Sequence, residues 1–292
     1  MNLPASVGAS AALVLFGFAL AAEAQPPRGP ASRSARESAE VDLTGNWVAQ
    51  VTEDWAWRMV TPPKGDYASV PLNAAARQAA DAWDPAQAVA AGEECRAFGA
   101  GGIMRLPTRL RIDWADDETL KVETDAGQQT RLFHFDDARR PDAEPSWQGH
   151  SVAEWLGVPR SAGLFGFGGP APQDAPAVPA AVPGGARGSE PAVRPATGSL
   201  KVVTTNLRPG YLRKNGVPHS EEAVVTEYYD RMSMFGNDYL QVVTVVVDPR
   251  YLTVPFVVSN HFKREPDGSK WNPTPCVTDP PFGEFRPSPF VP

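Results

Sequence analysis

Charged and aromatic side chains interleave along Tyr211-Leu-Arg213-Lys-Asn-Gly-Val-Pro-His219-Ser-Glu-Glu-Ala-Val-Val-Thr-Glu227-Tyr-Tyr229. Lys-Asn-Gly is a hairpin turn signal, so two strands are expected on either side of it. On the second strand Val225, Glu227 and Tyr229 share one face, and Val224, Thr226 and Tyr228 share the other. An inward Glu227 needs a cationic partner such as Arg58, Arg109 or Arg213, because an unpaired buried carboxylate is very costly. Such a Glu–Arg–Tyr group orients the polar end of a ligand or serves as general acid and base. Glu227, Arg213 and His219 are therefore the catalytic candidates. An outward Glu227 would instead form cross-strand ion pairs in water. Alternation leaves both placements open, since Val224 and Tyr228 suit a core as well as Val225 and Tyr229.

A second set is aromatic. Trp47, Trp55 and Trp57 fall on one side of a period-two pattern running from Leu43 to Met59, which reads as one long strand. With Trp114 on a later segment they either line an apolar pocket or simply pack as core. The candidate ligand-binding group is thus Trp55, Trp57, Arg58, Arg109, Tyr211, Arg213 and Glu227.

Other chemistries find little footing. His134, His150, His219 and His261 show neither H-x-H nor H-E-x-x-H spacing, so no metal site is expected. His150 and Glu154 have helical spacing, but Ser151-Val-Ala-Glu154 reads as a capping box opening a short helix. No G-x-S-x-G occurs, and Gly99-Ala-Gly101 lacks the third glycine of a dinucleotide fingerprint, so no cofactor is expected. A net charge of −7 argues against nucleic acid as a partner.

The elements that must position these residues follow from composition. Residues 1–24 read as a signal peptide: a short apolar run from Ala11 to Ala22, then Ala22-Glu-Ala24 as a cleavage site after Ala24. A periplasmic or secreted location follows, and no later stretch is long and apolar enough for a transmembrane anchor. Export makes a disulfide between the two cysteines, Cys95 and Cys276, the expected pairing. Residues 25–40 are Pro/Ser/Arg-rich and read as disordered; residues 279–292 are a Pro-rich tail. Between them, 41–278 reads as a single domain interrupted by a low-complexity Gly/Pro/Ala insertion at 164–198, which a surface loop tolerates because closure entropy grows slowly with length. An interdomain linker is the alternative. Asn73 and Asp84-Pro85 mark two Ala-rich helices, too poor in Leu and Ile to form a core of their own. Asp125-Ala-Gly127, Lys214-Asn-Gly216 and Gly236-Asn-Asp238 punctuate the rest at hairpin spacing. The fold class is therefore mainly β: an up-and-down antiparallel barrel or strongly curved sheet of about eight to ten strands, with a short helical cap and a disordered insertion.

Gly45-Asn46-Trp47, opening the first strand after an exported leader, resembles the G-x-W motif of lipocalins and related calycins. That likeness implies a lipocalin-like barrel with Trp47 across its closed end. Three further segments, Asp54–Met59 with Pro62–Tyr67, Thr119–Gly127 and Asn206–Pro218, are similar to an uncharacterised family of exported β-rich proteins of Gram-negative bacteria. This resemblance implies a compact exported fold and no particular reaction. The functional expectation is a protein that binds a small, mostly apolar or amphipathic molecule in a barrel cavity. Two alternatives stand beside it: a cofactor-independent isomerase, hydratase or hydrolase, and a cell-envelope interaction protein with a filled barrel. Oligomeric state and ligand identity are not legible.

Overall fold

The computed structural model describes residues 33–136, 144–157 and 198–278. The leader, residues 25–32, most of the low-complexity insertion (164–197) and the Pro-rich tail lie outside the described residues. Among the described residues, nine strands close into a ring: β1 (Gly45–Gln50), β2 (Arg109–Asp116), β3 (Thr119–Thr124), β4 (Thr130–His134), β5 (His150–Gly157), β6 (Gly198–Thr205), β9 (Val224–Met234), β10 (Asn237–Val247) and β11 (Phe256–Glu265). Two short strands, β7 (Gly210–Tyr211) and β8 (Pro218–His219), form a separate two-stranded ribbon between β6 and β9 in sequence. The ring follows chain order, with β1 closing it against both β11 and β2. The hairpins at Asp125-Ala-Gly127 and Gly236-Asn-Asp238 fall where the turn residues place them, with Gly127 at φ 73° and Gly236 at φ 71°.

One pairing breaks the antiparallel pattern. β4 and β5 run parallel and share only Phe133↔Ser151 and His134↔Val152. The intervening chain carries β5 back to start beside the end of β4 rather than turning at it, so the barrel is mixed rather than purely up-and-down.

Four local readings are corrected. The strand expected over Leu43–Met59 stops at Gln50, and Trp55–Arg58 form a single helical turn, α1. Asp54 takes a left-handed conformation, φ 53°, and its carbonyl accepts from the amides of Trp57 and Arg58. An alternating pattern continued past the point where β11 offers a partner, since the register ends at Gln50↔His261. Ser151–Glu154 is strand, not a capped helix, because β5 pairs with β6 from His150↔Thr205 to Gly157↔Gly198. The first arm of the Lys-Asn-Gly hairpin pairs with Pro218–His219 and not with the strand carrying Glu227; β9 lies instead between β6 and β10. Residues 33–40, expected to be without structure, form a turn held to the barrel by Trp155 Nε1 donating to the Ala35 carbonyl at 2.9 Å.

Side chains fill the ring. Trp47, Phe133, Tyr229 and Phe262 are all 0% exposed and belong to the main apolar cluster, with Trp47 Nε1 donating to the Leu43 carbonyl. A second apolar cluster joins Val225, Val246 and Phe256 at one end of the barrel to Leu212 and Val217 of the ribbon segment. It is also covered by α2 (Ala74–Asp81), whose Ala76 and Ala80 are fully buried. Asn73 caps α2 by accepting from Ala76 N, and Asp84 caps α3 (Pro85–Ala90) by accepting from Ala86 N.

Glu227 points inward on β9, between residues of these two clusters, and its partner is Arg131 of β4 rather than Arg58, Arg109 or Arg213. Arg131 Nη1 and Nη2 donate to the two carboxylate oxygens at 3.0 and 2.6 Å, and Nη2 also donates to Thr204 Oγ1 at 3.2 Å. Both side chains are 0% exposed. Burial works against the charge on Arg131, but Glu227 outweighs it and raises the guanidinium pKa. Removing one member of a buried bidentate pair leaves the other charge uncompensated. Glu227→Gln should therefore lower unfolding stability by ~3–5 kcal/mol in urea titrations, and replacing both Arg131 and Glu227 by Met should restore most of it. A loss below ~1 kcal/mol for the single change would contradict a structural role.

Candidate functional site

Small residues make the principal cleft. Ala79 and Ala82 of the α2 segment, with Ala88 and Ala91 of the α3 segment, present only methyl groups to the β7–β8 ribbon opposite. The gap they leave has a volume of about 450 Å³. Trp83, Pro209, Pro218, Tyr211 and Tyr251 supply its larger apolar surfaces; Asp84, Glu93 and Arg96 supply charge. Gly216 in the ribbon turn is required by Trp83: at φ 79° a Cβ there would lie 2.2 Å from the Trp83 ring.

Arg96 sits on the 3₁₀ turn Glu94–Phe98, which the disulfide fixes. Cys95 is bonded to Cys276 with 5.1 Å between Cα atoms, and Thr274 N donates to the Asp125 carbonyl, so the C-terminal segment is laced to the barrel beside the cleft. The Arg96 guanidinium lies 4.5 Å from the centre of the Tyr211 ring and donates to Glu93 at 3.0 Å. Burial raises the Tyr211 pKa, with Arg96 pulling the other way, so this phenol stays protonated at neutral pH.

His219 lines the same cleft but is 1% exposed. Its Nδ1 is 3.1 Å from the Ser220 carbonyl, which can only accept, so Nδ1 carries the proton. Nε2 is left without a partner and is pressed against Gly210, where a Cβ would come within 2.5 Å. Burial lowers the imidazole pKa, opposed by the Ser220 carbonyl and by Asp248. This is a neutral histidine packed into the cleft wall.

The remaining candidates separate. Trp57 and Arg213 come together at α1, where the Arg213 guanidinium lies 4.8 Å from the Trp57 ring centre, while Arg58 on the same turn donates to the Arg105 carbonyl and to Glu53. Burial, then the nearby Arg105, pulls the Arg213 pKa down to about 10. Glu227 is inside the barrel, as described. Trp55 is 66% exposed on α1. Arg109 runs along the outside of the ring between Glu265 at 3.2 Å and Asp125 at 3.6 Å. Trp114 stacks on Phe135 at 5.7 Å and packs at a tilt against Trp155 at 6.4 Å. Sequence reasoning missed Arg96, Arg105, Arg131 and Trp83. Only Arg131 carried a legible signal: it shares strand parity with Phe133, so a charge was heading into the core. Among the described residues no group of three or more His, Cys, Asp or Glu is placed to hold a metal ion.

The His219 geometry has a pH consequence. Its folded pKa lies below the unfolded value of ~6.5, so protons bind the unfolded chain more readily. Stability should be full above that value and decline as pH falls below it; urea midpoints measured at successive pH values from neutral downward should show this slope, and His219→Gln should flatten it. An unchanged slope in the variant would assign the effect to other groups. Comparison with protein-family models, with curated proteins and with solved structures finds no match to this chain, so its function is read from its own residues.

Proposed function

We propose that this chain is a binding protein for a small amphipathic molecule, taken up in the cleft between the two Ala-rich helices and the β7–β8 ribbon. The observation that carries the reading is the cleft itself: about 450 Å³, walled by aromatic, proline and alanine surfaces, with one partly exposed cation, Arg96, held in place by Tyr211 and Glu93. Apolar walls supply non-directional burial, and the fixed guanidinium orients a polar or anionic end. The barrel is the scaffold in this reading, since Trp47, Phe133, Tyr229 and Phe262 occupy its interior. A scaffold packed in this way keeps the ribbon and the 3₁₀ turn at constant separation, so little ordering cost attends binding.

The location proposed with it is outside the cytoplasm. A disulfide closes the chain over a separation of 181 residues, and oxidising compartments favour such bonds. The leader read at residues 1–24 agrees with that placement. No helix among the described residues is long and apolar enough to cross a membrane.

8-Anilinonaphthalene-1-sulfonate, a flat apolar anion, is a suitable probe. It should bind at one site per chain with a rise in fluorescence, while the near-UV circular dichroism stays native. Ala82 is exposed and lines the cleft, so Ala82→Trp should fill it without disturbing the core and weaken binding at least ~10-fold. Arg96→Met should weaken the anionic probe more than its uncharged parent, N-phenyl-1-naphthylamine. Unchanged affinity in Ala82→Trp would move the site elsewhere.

A further inference from the structure

Arg213 is 4% exposed, yet Nε, Nη1 and Nη2 all lack a hydrogen-bond partner. One cation, Arg105, and two carboxylates, Asp54 and Asp66, act on it through space. Arg58, 1% exposed, donates Nε to the Arg105 carbonyl and Nη1 to Glu53, and leaves Nη2 unpartnered. Arg105, 5% exposed, donates to Asp54 at 3.1 Å and lies over the Phe256 ring. Both Arg58 and Arg213 feel the charge of Arg105. Asp54 and Asp66 act on Arg213 only through space, because Asp54 is engaged by Arg105 and Asp66 accepts from Trp57 Nε1 at 2.8 Å. The loop after α1 adds the buried, unpartnered hydroxyl of Thr61. Asn215 donates Nδ2 to the carbonyls of Pro63 and Asp66. Its Oδ1 is unpartnered too, and does not reach Arg213.

Fully buried guanidinium groups are found with acceptors, because a charged donor without one forfeits its whole solvation energy. Here the missing partners are predominantly acceptors for N–H groups. Trp57 covers one face of Arg213, which leaves the in-plane edge as the route for hydrogen bonding, and that edge matches a two-oxygen anion. The geometry points to a bound oxyanion, a carboxylate or phosphate group, held in the plane of the Arg213 guanidinium. Neither Arg213 nor Trp57 lines the Ala-rich cleft, so the site is independent of the one proposed above. Entry requires movement of α1, a four-residue turn that carries Trp57 and Arg58 on its inner side and leaves Trp55 and Met59 exposed. α1 is held through Arg58 on the Arg105 carbonyl, Arg105 on Asp54 and Trp57 on Asp66.

The experiment is thermal unfolding of the whole chain after long incubation in sodium phosphate, sodium acetate or sodium chloride at equal ionic strength. Phosphate or acetate should raise the midpoint by several degrees beyond chloride, and the salt that does so identifies the anion class. Arg213→Met should abolish the increment, and Arg213→Lys should raise the concentration for half the effect about tenfold, since an ammonium cannot replace the planar fork. Ala82→Trp should keep the full response, which separates this site from the cleft. Equal midpoints of the unaltered chain in all three salts would overturn the proposal. So would an increment that survives in Arg213→Met, or, if that variant does not fold, one that survives at full strength in Arg213→Lys.

Discussion

A ring of nine strands encloses a column of space that side chains must fill, and in this protein a charge pair stands in the middle of it. Arg131 and Glu227 reach each other across the barrel from β4 and β9, which are not neighbours in the ring. Their bidentate contact is geometrically demanding, because two parallel N–H···O bonds form only if the strands stand at the right height relative to one another. Slipping either strand by one residue would turn its charge to the outside and abandon the other in an apolar interior. The pair therefore ties register across the barrel, and the aromatic residues on either side of it, Phe133 and Tyr229, pack against each other at 5.5 Å under the same constraint. Such a pair adds little net stability over apolar packing. Its effect is on which arrangement is unique.

What lies outside the ring is organised by contrast between large and small residues. The ribbon segment lays Leu212 and Val217 on the end of the barrel, and the Ala-rich helices cover the same cluster with methyl groups. Helices with so little bulk cannot close against the ribbon, and the cleft is what remains. The disulfide then stiffens the third wall. Without it, the turn bearing Arg96 would be held mainly by Phe98 and the backbone bonds around Gly99. Cleft and core are thus separated in space: the barrel gives rigidity, and the segments with the least core of their own give the opening.

The arginines divide in the same way. Arg131 is buried with its full complement of charge; Arg213 is buried without a hydrogen-bond partner among the protein groups. At the level of the fold the second arrangement is a liability, and burial, with Arg105 nearby, lowers the Arg213 pKa accordingly. Trp57 offsets part of this through its ring face. A desolvation cost concentrated at one place is what the proposed anion would offset.

Alternation and turn chemistry made most strands from Arg109 onward legible, because a half-buried strand must alternate and a tight hairpin must place glycine or asparagine at positive φ; β5 was the exception, read as a capped helix. The pairing of Cys95 with Cys276 was legible too, being the one intrachain disulfide that two cysteines can make. Strand parity even marked Glu227 as one of two possible inward residues. It could not choose its partner: Arg131 and Glu227 are 96 residues apart, and only ring closure brings them together. Nor could it end β1, since alternation continues through Trp55 and Trp57 while the pairing edge of β11 runs out at His261. The parallel β4–β5 contact and the β7–β8 ribbon have the same origin. Local patterns determine which face a residue takes, whereas partner, register and cavity depend on backbone bonds and volumes contributed by segments far apart in the chain.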